Sequence, residues 1–197
     1  MRRTLDIVFA SLILILTFPL ILVVAALIKL ESSGPIFFRQ NMVGWKGQKF
    51  QLFRFRTMFV DSSNTGFTRV GTFTRNYSLD HLPQFFNLLR GDITIIGPRP
   101  IEADVVDLRD ATWQQYVQTK PGLFNYAIYK LGRQWTPSRL SHPDLNQELE
   151  LEYMRQRSAA SDLRLLMKSL KAFFTSKGNI KARGEVDPEL EQRFKDH

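Results

Sequence analysis

IVFASLILILTFPLILVVAALI, residues 7–28, contains no charged residue, and its reading decides how the rest of the chain is arranged. Only Ser11, Thr17 and Pro19 interrupt it. As a straight helix its roughly 22 residues measure about 33 Å, just longer than a bilayer's hydrocarbon core of about 30 Å. A polytopic membrane protein needs several such runs, and these 197 residues contain one. The run predicts an N-terminal membrane helix with the remainder of the chain in water.

Three topologies fit an apolar run near an N-terminus. A cleaved signal peptide has a shorter apolar core, about 7–15 residues, and a small-residue cleavage site, whereas Lys29 and Leu30 follow here. A simple span is the plainest reading. A re-entrant helix, entering and leaving on one face, is favoured by Pro19. This proline removes the hydrogen bond to the Ile15 carbonyl and promotes a kink near the midpoint. The flanks agree, because Arg2 and Arg3 precede the run while Lys29 and Arg39 follow it. A span would put one basic flank on the wrong side, and re-entry keeps both on the cytoplasmic face.

The formal charge is +8, a balance that suits anionic lipid, phosphorylated substrates or nucleic acid. No recognised nucleic-acid motif is present, and lipid and substrate phosphates account for the charge, so nucleic acid is set aside. The absence of cysteine excludes disulfides and zinc–thiolate sites. His81, His142 and His197 are too far apart in sequence to form a histidine metal motif.

Beyond the apolar run, Ser32-Ser33-Gly34-Pro35 signals a turn. Residues 36–38 and 50–55 read as short strands, with Arg54 and Arg56 on one face of the second. Residues 78–89 read as a helix N-capped by Ser78, with Leu82, Phe85, Phe86 and Leu89 at helical spacing. A short strand is expected at 93–96, a stiff loop at Gly97-Pro98-Arg99-Pro100, a polar-faced helix over 101–117 and an irregular aromatic stretch over 122–132. Residues 162–175 are strongly amphipathic, which fits either a core-packing helix or one lying in a membrane interface. Residues 177–197 read as a loose tail. The fold class is α+β, with a membrane helix over 1–30, a domain over 31–178 and a tail over 179–197.

Phosphate chemistry is suggested by the arginines. Arg99 lies between Pro98 and Pro100, which restrict the backbone that aims its guanidinium. Arg54 and Arg56 share a face, and Arg75 precedes the expected helix at Ser78, whose N-terminus would favour an anion. Each arginine taken alone equally fits a solvated surface position. Asp80 fits a first-turn carboxylate that complements a helix dipole, or a carboxylate that binds Mg²⁺ or attacks phosphorus.

Ser78-Leu79-Asp80-His81-Leu82-Pro83-Gln84, Asn87-Leu88-Leu89-Arg90-Gly91-Asp92 and Gly97-Pro98-Arg99-Pro100, in this order, resemble the bacterial sugar transferase family. These are the monotopic phosphoglycosyl transferases, which start glycan assembly on polyprenyl phosphate. The resemblance runs from Arg3 to about Gly178. It includes Asp6, Pro19, Lys29, Gly34-Pro35, Phe38-Arg39-Gln40, Phe55-Arg56-Thr57-Met58, Asp61, Arg75, Pro121-Gly122, Tyr153, Ser158 and Asp162.

The resemblance implies that Asp80 attacks the β-phosphate of a nucleotide diphosphate sugar, usually a UDP-sugar, and hands the phosphosugar to polyprenyl phosphate. It implies Mg²⁺ at Asp80, a role for His81 beside the nucleophile, and phosphate binding by Arg56, Arg75 and the Pro98-Arg99-Pro100 loop. It also implies a place on the cytoplasmic face of the bacterial inner membrane in contact with lipid, and leaves room for a homo-oligomer.

The chain departs from the family's pattern at several positions. His81 replaces the usual glutamate, Met42 a usual arginine, Phe124-Asn125 a usual Thr-Gly, and Glu150 a usual aspartate; a nearby Trp-x-Gln pattern is missing. A catalytically degenerate scaffold or regulator is therefore the alternative expectation.

Overall fold

The structure is a computed structural model and describes residues 2–60, 66–131 and 143–175. Asp61, Gly132 and the expected tail lie outside the described residues. An uninterrupted helix α1, Arg2–Glu31, runs through Pro19 and is followed by the hairpin β1 (Phe37–Val43) and β2 (Lys49–Phe55). Next come α2 (Arg69–Asn76), a 3-10 turn (Leu79–His81), α3 (Gln84–Arg90), β3 (Thr94–Ile96) and β4 (Ile101–Glu102). The remainder is α4 (Ala111–Tyr116), β5 (Gly122–Phe124), α5 (Tyr126–Leu131), α6 (Pro143–Arg155) and α7 (Ala159–Thr175). The strands form an antiparallel sheet in the order β2-β1-β4 and a parallel pair β3-β5. The fold is α+β, as expected.

α1 is long and apolar enough to cross a membrane, yet one stripe of it is packed into the domain. Its buried residues, Asp6, Ala10, Leu14, Ile21, Val24 and Ile28, recur at intervals of three, four and seven, so they share one face. Ala10 joins Met42, Leu52, Leu88 and Ile93 in one core cluster. Leu14, Ile21, Val24 and Ile28 pack with Phe55 in another. The opposite face is apolar and bare, with Ile15 72% and Leu16 67% exposed.

Both ends of α1 are tied down. Arg3 donates to the carbonyls of Leu88 (2.7 Å) and Leu89 (2.5 Å) in the last turn of α3, where helix carbonyls lack partners. The Asp6 carboxylate accepts from Thr94 Oγ1 and the Ile95 amide on β3. At the other end Glu31 accepts from the amides of Arg69 (2.6 Å) and Val70 (2.9 Å), the first turn of α2. A helix of 30 residues measures about 45 Å, so this contact with the domain runs along the helix rather than at one tip.

Two of the expected helices are corrected. The helix expected over 78–89 is a 3-10 turn followed by α3, and Ser78 makes no capping bond with its side chain; it sits in the left-handed region at φ 56°. Pro83 has no N–H, so the Leu79 carbonyl lacks an i+4 donor and is met by the Leu82 amide at 3.1 Å instead. The helix expected over 101–117 reduces to β4 and the short α4. Asp107 accepts from the Arg109 amide, and Asp110 caps Thr112 and Trp113. Such side-chain bonds compete with helix continuation and place its start at Ala111.

Elsewhere the strands over 36–38 and 93–96 are found, the first extended to Val43. The stretch expected to be irregular holds β5 and α5. The amphipathic segment is the helix α7, one side of which packs into the core as expected while the other is bare. Leu165 is buried with Ile96 and Tyr153, while Leu163 and Met167 are exposed. Arg157 clamps this corner, donating to both oxygens of Asp162 and to the Ile96 carbonyl at 2.6 Å, while Tyr153 donates to Asp162 at 2.7 Å.

Candidate active site

The fold brings charged side chains from the 3-10 turn, β2, the end of α2 and the loop after β3 into one cluster. Asp80 lies at its centre, 8% exposed, on the turn imposed by Pro83. The turn is held against β2 through α3, because Asn87, fully buried, accepts from the Phe53 amide and donates to the Gln51 carbonyl and to Asp92. His81 Nε2 lies 3.7 Å from Asp80 Oδ2, and its Nδ1 is 3.0 Å from the Gln84 side-chain amide.

Arg54 faces this carboxylate. Burial holds its guanidinium below the ordinary arginine range, the negative charges of Asp80 and Glu102 counter that effect, and Arg75 adds to it. Arg75 lies in the last turn of α2, not ahead of a helix N-terminus, and its guanidinium stacks 4.6 Å from the centre of the Phe67 ring. Arg99 is pushed down to about 10, first by burial and then by the charge of Arg54. Three of the arginines singled out from sequence are therefore close enough to act on one another's charge, although burial is the larger cause of both shifts.

Arg56 is not among them. Its guanidinium is 5% exposed and donates to the carbonyls of Ser32 (2.9 Å) and Ser33 and to Ser32 Oγ (2.8 Å), fastening the turn after α1. A side chain at Gly34 would collide with it. The alternation that pairs Arg54 with Arg56 ends at Phe55, where β2 stops.

The loop bearing Arg99 is fixed by close backbone crossing. Gly97 accepts no side chain because a Cβ would strike the Lys120 carbonyl, and one on Gly122 would strike Gly97. Gly122 donates to the Pro98 carbonyl at 2.8 Å. Pro98 is buried and Pro100 half-buried on either side of Arg99. Tyr116 Oη donates to the Arg99 carbonyl at 2.9 Å.

Beneath that loop lies Glu150 of α6, with no exposure. Its Oε1 accepts from the Ala127 amide at 2.9 Å, and its Oε2 has no hydrogen-bond partner. Burial pushes its carboxyl up to about 8, against the opposing hydrogen bond from the Ala127 amide and the nearby charge of Arg99. Sequence reading noticed Glu150 only as a departure from a pattern; its burial under Arg99 is a tertiary fact.

An open groove of about 250 Å³ between Asn41, Lys49, Gln51 and Asp104 lies on the sheet face opposite Arg54. It contains none of the site arginines. Among the described residues no three His, Cys, Asp or Glu side chains gather to enclose a metal. Asp80 alone offers a hard carboxylate oxygen on the turn. Mg²⁺ is commonly held by one or two carboxylates plus substrate phosphates, so Asp80 fits a cation carried largely by a diphosphate, while the His81 nitrogen fits it poorly.

An apolar helix laid along an α+β domain, a nearly buried aspartate and neighbouring arginines with a Pro-Arg-Pro loop together define a class of protein. The profile of the bacterial sugar transferase family matches residues 1–176, and the chain belongs to that family. It is 33% identical over 194 residues to the UDP-N-acetylgalactosamine-undecaprenyl-phosphate N-acetylgalactosaminephosphotransferase of Aeromonas hydrophila, covering 90% of this chain and 44% of that protein. It is 33% identical over 190 residues to the UDP-glucose:undecaprenyl-phosphate glucose-1-phosphate transferase of Escherichia coli, covering 90% and 41%. The enzyme of that same name from Caulobacter vibrioides is 35% identical over 199 residues, covering 89% and 70%. The chain thus spans less than half the length of the first two relatives.

Proposed function

We propose that this chain transfers a sugar-1-phosphate from a nucleotide diphosphate sugar, a UDP-sugar, to polyprenyl phosphate, initiating glycan or exopolysaccharide assembly. The observation that carries the reading is Asp80, 8% exposed and within electrostatic reach of Arg54. A carboxylate is a nucleophile toward phosphorus, and arginines beside it offset the charge of the phosphate it attacks. The relatives' names supply the substrate class.

An Asp80 oxygen attacks the β-phosphorus of the donor, and the bond from that phosphorus to the bridging oxygen breaks. UMP departs with the bonding pair, leaving the phosphosugar on Asp80. An oxygen of polyprenyl phosphate then attacks the same phosphorus, releases the carboxylate and forms the polyprenyl diphosphate sugar. Arg54, Arg75 and Arg99 neutralise the charge on the transferring group, and their fixed backbones keep that stabilisation preorganised. Mg²⁺, held by Asp80 together with the diphosphate, supplies further charge neutralisation when bound.

Membrane lipid is the proposed partner of the bare face of α1, placing the protein at the cytoplasmic face of the bacterial inner membrane. Docking of both helix ends on one domain supports entry and exit on the same side, because a perpendicular span would carry one end about 30 Å away. Locating the N-terminus outside the cell by cysteine labelling would refute this topology.

The assay is purified protein with a panel of UDP-sugars, Mg²⁺ and undecaprenyl phosphate. UMP release that depends on Asp80 is the expected result. No release from any sugar, with Asp80→Asn indistinguishable from wild type, would favour a catalytically degenerate scaffold, the reading that His81 and Met42 motivate.

A further inference from the structure

We infer that Gln40, Arg54 and Glu102 form a hydroxyl-recognition subsite beside Asp80, taking a hydroxyl of the donor's sugar or ribose; this rests on the proposed transferase reading. Cross-strand partners share a sheet face. Phe38 pairs with Arg54 and Gln40 with Leu52, so Gln40 and Arg54 are diagonal neighbours on one face. Met42 pairs with Glu102 across β1 and β4, which brings Glu102 to the same face. Asp80 and Glu102 both act on the charge of Arg54, so this face borders the nucleophile.

Hydrogen bonding on this face is incomplete in a particular way. Gln40 Nε2 donates to Glu102 Oε1 at 2.5 Å. An ionised carboxylate only accepts, so this bond fixes which end of the amide faces Glu102. Gln40 Oε1 is then left buried without a hydrogen-bond partner, as is Arg54 Nε. Native structures satisfy nearly all such groups, and a bound group beside both atoms would account for this pair.

An unmet acceptor and an unmet donor on one sheet face select the chemistry of the occupant. A phosphate oxygen satisfies Arg54, but an ionised phosphate has no proton for Gln40 Oε1. A hydroxyl donates to one and accepts from the other. Glu102, exposed at the rim, offers a further acceptor for an adjacent hydroxyl, and neighbouring hydroxyls occur on both a pyranose and ribose. The position for which the family resemblance expects arginine, Met42, is buried in the core, so Gln40 is the polar group that β1 sends to this face.

The test compares full-length wild type, Gln40→Leu and Glu102→Gln, each checked for folding by its thermal melt. Steady-state kinetics would use the accepted UDP-sugar and its deoxy analogues, and calorimetry would use UDP and UDP-sugar. At least about a tenfold loss of donor kcat/KM is expected in each variant, carried by donor KM, with KM for undecaprenyl phosphate unchanged. In Gln40→Leu the penalty for removing the recognised hydroxyl should disappear. A parallel loss of UDP binding assigns the hydroxyl to ribose; loss for UDP-sugar alone assigns it to the sugar. Folded variants with donor KM and binding within about twofold of wild type, and unchanged deoxy penalties, would overturn the subsite. Absence of UMP release by wild type would instead count against the transferase reading, while calorimetry with UDP-sugar would still decide on the subsite.

Discussion

Asp80 Oδ2 and His81 Nε2 lie 3.7 Å apart on a single 3-10 turn, with the other ring nitrogen of His81 held by Gln84 at 3.0 Å. A carboxylate and an imidazole thus occupy positions where the family resemblance expects two carboxylates. The turn that carries them exists because Pro83 cannot donate to the Leu79 carbonyl.

Asp80→Asn should abolish transfer, lowering UMP release by about a thousandfold or more, because an amide is not a nucleophile toward phosphorus. The melt should change little, since asparagine fits the same space. Loss of a radiolabelled phosphosugar adduct on the protein, followed by denaturing gel, checks the step itself.

His81→Glu should lower the Mg²⁺ concentration for half-maximal rate by roughly tenfold, because Mg²⁺ prefers oxygen donors to imidazole. A Mg²⁺ titration of UMP release measures this. Activity present only in the variant would identify the natural chain as a degenerate enzyme.

Glu150 makes stability depend on pH. Its carboxyl is raised from 4.5 to about 8 in the fold. Between those values the unfolded chain has lost the proton that the folded chain keeps, so folded stability declines as pH rises through the window and levels off above about 8. The decline is of order a few kcal/mol. Melting temperatures from pH 4.5 to 9 should show that slope, and Glu150→Gln should flatten it.

Asp6→Ala should loosen α1 from the domain. The mutation leaves the Ile95 amide and Thr94 hydroxyl without their acceptor, at a cost of about 1–3 kcal/mol. Hydrogen exchange should accelerate at Ile95 and in the N-terminal turns of α1 before other segments respond.

The apolar run and Asp80 with its Pro-Arg-Pro loop were legible because they rest on local composition and spacing. Arg56 shows where local reading fails. Its alternation with Arg54 predicts a shared face, yet β2 ends at Phe55 and the side chain turns to the Ser32 and Ser33 carbonyls. The helix expected over 101–117 failed for a related reason, since Asp107 and Asp110 engage nearby amides before a helix can propagate.

By itself the sequence determined that α1 is helical and apolar, that Asp80 stands between Ser78 and Pro83, and that no thiol chemistry is available. These follow from short-range sterics, hydropathy and residue inventory. Tertiary structure decided which face of α1 is buried and which arginines meet Asp80. It also decided that Glu150 lies beneath Arg99 and that Gln40 meets Glu102 across two strands. Arg54 and Asp80 are 26 positions apart, Arg99 and Glu150 51, and Gln40 and Glu102 62, and burial and charge act through space rather than along the chain.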